Sequence, residues 1–108
     1  MEQYTCILEL NFVDNTQKSA SAMIYRKTLL PFNPLYMRGE IISPEFTNNG
    51  INYHGYDFEI KRVRWSESNP EMYYVVLHKV LASMNVCLSA KEKFLKDEKG
   101  RYSETYPH

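Results

Sequence analysis

Along residues 4–13, YTCILELNFV, apolar and polar positions alternate. Tyr4, Cys6, Leu8, Leu10 and Phe12 fall on one face, Thr5, Glu9 and Asn11 on the other, and Ile7 is the exception. A period of two marks a half-buried strand, because successive side chains point to opposite faces of a sheet. Asp14 and Asn15 follow with turn chemistry, since both tolerate left-handed geometry and bond locally to backbone. Residues 18–30, KSASAMIYRKTLL, predict a second strand paired antiparallel with the first. Its small Ala20 and Ala22 leave room for bulkier neighbours opposite. Pro31 and Pro34 cannot donate to a central ladder, so an irregular crossing is expected over 31–40.

Further on, Asn49-Gly50 between IIS and INY predicts a hairpin, and Gly55 a bend or bulge. Tyr56, Phe58 and Ile60 then share a face that would next carry Arg62 and Arg64, while Val63 and Trp65 lie opposite. The apolar face changes sides near Lys61-Arg62, which predicts a bulge or a strong twist there. Residues 69–84 admit two readings. Asn69 as N-cap with Pro70 and Glu71 behind it would start a helix with a stripe at Tyr73, Leu77, Val80, Leu81 and Met84. The run YYVV is costly in a helix and good in a strand, so strand is the favoured reading. Ser89 with Glu92 makes a capping box and Gly100 a stop, which predicts one short charged helix docked through Ala90, Phe94 and Leu95.

The expected fold is therefore mainly β, a β-rich α+β domain over residues 1–100. Five or six strands form a small antiparallel barrel or strongly twisted sheet, followed by a short C-terminal helix. Residues 101–108 are expected to be a flexible tail. No repeat or low-complexity segment interrupts the chain.

Composition adds one unusual feature: nine Tyr, five Phe and one Trp in 108 residues. Such rings cover a core while keeping a hydroxyl wet, or crowd a contact surface. Thirteen basic residues balance thirteen acidic ones, so no global pull toward nucleic acid or an anionic membrane exists. Cys6 and Cys87 are too far apart in sequence for a metal knuckle or a redox pair and read as reduced thiols. The N-terminus lacks a basic leader followed by an unbroken apolar run, and no window approaches the length needed to cross a bilayer. A cytoplasmic, soluble protein is expected.

Neither nucleotide-binding glycine motif is present, and the three histidines lack metal-ligand spacing, so no cofactor and no metal are expected. His54 with Asp57, or a cysteine with His54 or His78, would be the raw material of an acid–base or nucleophilic site, but their spacing does not assemble one. The strongest candidates are basic and aromatic: Tyr53, Tyr56, Arg62, Arg64 and Trp65, with Tyr36 an outlier on the crossing. Surface charge runs are commonly only solvated, with stems covering apolar area.

The arrangement of Leu30-Pro31-Phe32, Gly39, Phe58, Ile60, Val63, Trp65 and YYVVL resembles short phage and bacterial proteins built on a small SH3-like or OB-like barrel. The resemblance spans roughly residues 29 to 77 and rests on hydrophobic alternation. It implies a binding module from a mobile element or accessory gene and carries over no catalytic residue. Together these readings predict a non-catalytic protein-binding module, a phage-type accessory protein or inhibitor of a host protein. Single-stranded nucleic-acid binding through the same residues is the alternative.

Overall fold

The computed structural model describes residues 3–15, 20–42, 57–66, 69–97 and 102–106. The elements are β1 (Tyr4–Val13), β2 (Ala20–Leu30), a 3-10 helix at Pro34–Tyr36, β3 (Ile41–Ile42), β4 (Phe58–Ser66), β5 (Asn69–Val80) and α1 (Met84–Asp97). The strands form a single sheet in the order β2-β1-β5-β4-β3, curled into a half-barrel with α1 packed on its concave side. The β-rich class with a C-terminal helix is as the alternation predicts.

The face of β1 singled out by its period enters the core complete: Cys6, Leu8, Leu10 and Phe12 are buried, with Tyr4 packed against them. Ala22 stands opposite Phe12, so a small residue does make room for a ring. Between Ile60 and Arg62 the β4–β5 register shifts by one, which makes Lys61 the extra residue of a bulge. The bulge keeps Phe58, Ile60 and Val63 on the core side and turns Arg62 and Arg64 outward. In the crossing, Asn33 Oδ1 accepts from the Leu35 amide at 2.9 Å and caps the 3-10 helix. Gly39 then takes φ +91°, a left-handed conformation that a side chain would strain.

Three features depart from expectation. The sheet is mixed, because β1 and β5 run parallel while the other pairs are antiparallel. The helix starts at Met84, not at Ser89. Its cap is Ser83, whose Oγ accepts from the Val86 amide at 3.3 Å and whose carbonyl accepts from the Cys87 amide at 3.1 Å. Cys87, Ala90 and Phe94 are all buried at three- and four-residue spacing, and a helix begun at Ser89 would leave Cys87 outside that stripe. Finally, residues 102–106, within the segment expected to be a loose tail, are docked. Tyr102 is 4% exposed, and Ser103 exchanges two backbone hydrogen bonds with Tyr25, at 2.7 and 2.9 Å, on the outer edge of β2. The hairpin at Asn49-Gly50, the bend at Gly55, His54 and the stop at Gly100 lie outside the described residues.

Candidate interaction surface

Register places side chains on the convex face, away from α1, in rows across four strands. Lys27, Ile7, Tyr74 and Arg64 form one row; Tyr25, Glu9, Val76 and Arg62 the next; Met23, Asn11, His78 and Glu59 the third. Ile7, Asn11 and Val76 are buried even here, under the larger side chains around them. Strand alternation thus supplies a polar and aromatic face from the residues the core rejects.

Its centre is the Glu9 carboxylate. Tyr74 Oη donates to Oε1, and Asn11 Nδ2 donates to Oε2 at 2.9 Å and to the Leu77 carbonyl at 3.3 Å. Burial, and then the bond to the Glu9 carboxylate, hold the Tyr74 phenol well above its ordinary pKa. His78 is pushed down, first by burial and then by the Lys61 ammonium, with Arg62 acting the same way and Glu9 and Glu59 opposing. Above this centre sits Tyr106, its ring stacked on Tyr74 (5.8 Å between centroids, 14° between planes) and edge-on to Tyr25 at 5.7 Å.

Of the sequence-predicted binding residues, Arg62 and Arg64 are exposed together on this face. Trp65 is 47% exposed but belongs to the opposite side: it pairs with Tyr73, whose ring packs edge-on to Tyr4 at the margin of the core. Tyr36, 87% exposed, stands on the 3-10 helix. Tyr53 and Tyr56 lie outside the described residues. The structure therefore places the two arginines on one face of the sheet and the tryptophan on the other. Tyr25, Tyr74, Tyr106 and Glu9 were not singled out in the sequence. The period of two puts Tyr25, Glu9 and Tyr74 on outer faces, but only the pairing register brings them side by side.

The other chemistry reads against nucleophilic catalysis by Cys6. Burial pushes its thiol up to about 12, its Sγ donates to the Tyr4 carbonyl at 3.3 Å, and the sheet separates it from His78. Nucleophilic cysteines need the opposite shift. Among the described residues, no three His, Cys, Asp or Glu side chains converge to hold a metal ion, and no helix is long and apolar enough to cross a membrane. Comparison of the chain with protein-family models, curated proteins and solved structures finds no match.

Proposed function

We propose that this chain is a non-catalytic protein-binding module, an accessory or inhibitory protein of the kind mobile elements carry, and that its convex sheet face contacts the partner. The observation that carries the reading is the state of the two arginines. Lys61 pairs with Glu59 at 3.3 Å and Lys91 with Glu104 at 2.9 Å, whereas Arg62 and Arg64 have no carboxylate partner among the described residues. Two exposed guanidinium forks at alternate strand positions, beside tyrosines, have the composition of protein contact anchors. Glu9 lies in the row of Arg62 and Glu59 in the next one, and both would repel a phosphate backbone, which favours a protein over a nucleic acid. Two buried free thiols suit a reducing cytoplasm.

The test is a tagged pull-down from cell lysate, run with and without nuclease, using the native chain and the Arg62→Glu/Arg64→Glu variant. A stoichiometric protein that survives nuclease and is lost from the variant supports the proposal. Nucleic acid as the captured species, released steeply by salt, replaces it with single-strand binding. A partner held equally by both chains moves the contact to another surface.

A further inference from the structure

From the way the C-terminal segment lies on the sheet, we infer that Tyr25 and Tyr74 form a slot for an aromatic side chain of an extended acidic peptide, which Tyr106 occupies within the chain. The inference rests on the protein-binding reading and names the chemistry of the partner. The segment Tyr102–Tyr106 crosses from one side of the sheet to the other. Tyr102 is buried on the concave side, edge-on to Phe94 at 5.2 Å, with the Arg26 guanidinium 5.2 Å from its ring centroid. Ser103 bridges the β2 edge, and Tyr106 reaches the convex face.

The two ends are fastened differently. Tyr102 is almost wholly enclosed, whereas Tyr106 remains 45% exposed on its two rings. The Tyr106 end can lift while Tyr102 stays in the core. What it uncovers is a flat face on Tyr74 and an edge contact on Tyr25, next to the β2 edge that Ser103 bridges. Main-chain pairing at such an edge with a side-chain site next to it is how sheets take extended peptides.

Arg64 defines the rest of the ligand. It stands directly across from Tyr74, a neighbour at roughly 5 Å between Cβ atoms in such pairs. Tyr106 fills the aromatic slot but leaves Arg64 and Arg62 without a carboxylate among the described residues. A partner segment carrying an aromatic residue with an acidic residue beside it would satisfy both. Its advantage over the chain's own tyrosine is that charge-assisted pair. Its handicap is that the tethered ring competes at an effective concentration on the order of millimolar.

The test is an NMR titration of the full chain, native and Tyr106→Ala, following the Tyr25 and Tyr74 ring resonances. The titrants are a synthetic peptide of residues 101–108, the same peptide with alanine in place of its second tyrosine, the same peptide with its last two residues replaced by aspartate, and oligothymidylate. Expected are saturable shifts in Tyr106→Ala, roughly tenfold weaker binding to the native chain because its own ring competes, and no binding of the alanine peptide. The aspartate peptide should bind several-fold tighter, and Arg64→Glu should erase that gain alone. An unchanged melting temperature would show Tyr106→Ala intact, with Tyr106→Ser as the second variant.

No saturable shift in either variant, equal affinity in both chains, or shifts indifferent to the peptide's ring would overturn the slot. So would oligothymidylate outcompeting the peptides. A pull-down partner dependent on Arg62 and Arg64, alongside a failed titration, would sink the slot and leave the protein-binding reading standing.

Discussion

At Glu9 a single carboxylate organises the convex face. It sits between strands where Ile7 and Val76 are buried, and it accepts from Tyr74 and Asn11. Hydrogen bonds to charged groups are stronger than neutral ones, so Tyr74→Phe should cost about 1–2 kcal/mol in urea unfolding while keeping its ring under Tyr106. No loss would mean that Asn11 alone satisfies the carboxylate. The same bond has a pH signature. The Tyr74 pKa is raised by burial first and by Glu9 second. The unfolded chain loses the proton near pH ~10 while the native one retains it. Stability is therefore fully present below pH ~10 and falls as pH rises toward the native value. Absorbance titration should show a late ionisation that Tyr74→Phe removes, and Glu9→Gln should lower the Tyr74 pKa only part of the way, because burial remains.

At the scale of elements, helix α1 offers the cleanest discrimination. Ser83 is the cap, so Ser83→Ala should destabilise by about 1 kcal/mol, whereas Ser89, exposed within the helix, should tolerate alanine with little change or a slight gain. Urea midpoints of the two variants decide it, and the reverse order would restore a start at Ser89. The serine with a glutamate three residues later drew the boundary to the wrong place because a capping box is a local pattern. The burial of Cys87 is a tertiary demand that the pattern does not contain. Local signals succeeded where the cause was local: alternation gave β1 and β2, and the side-switch at Lys61 gave the bulge. The strand reading of 69–80 succeeded because YYVV packs on a pleated surface better than in a helical turn. Of the candidate site, Arg62 and Arg64 were legible, since outward charge beside a bulge follows from the same period. The slot of Tyr25, Tyr74 and Tyr106 was not. It depends on a parallel pairing and on a C-terminal segment, neither of which leaves a periodic trace.

Across the whole molecule, two local hairpins, β1–β2 and β4–β5, are joined through the parallel β1–β5 seam. What fills the joint on the concave side is a cluster of rings from four parts of the chain. Phe94 of α1 lies 5.7 Å from Phe12 of β1, 6.2 Å from Phe58 of β4 and 5.2 Å from Tyr102, while Phe12 and Phe58 are 5.6 Å apart. Each hairpin alone would leave its apolar face in water, so neither is stable without the other and the helix. Removing the Phe94 ring should therefore be felt by the entire fold. Phe94→Ala is expected to cost about 3–5 kcal/mol, a large fraction of the roughly 5–15 kcal/mol that holds a domain folded. The loss should appear as one earlier transition, identical by far-UV circular dichroism and by Trp65 fluorescence, because Trp65 reports from β4 and not from the helix. Had α1 merely docked on a self-sufficient sheet, the helical signal would melt first and the Trp65 signal would follow its native curve. The arrangement of the four rings argues for the single transition, since Phe94 touches both hairpins and the C-terminal segment at once.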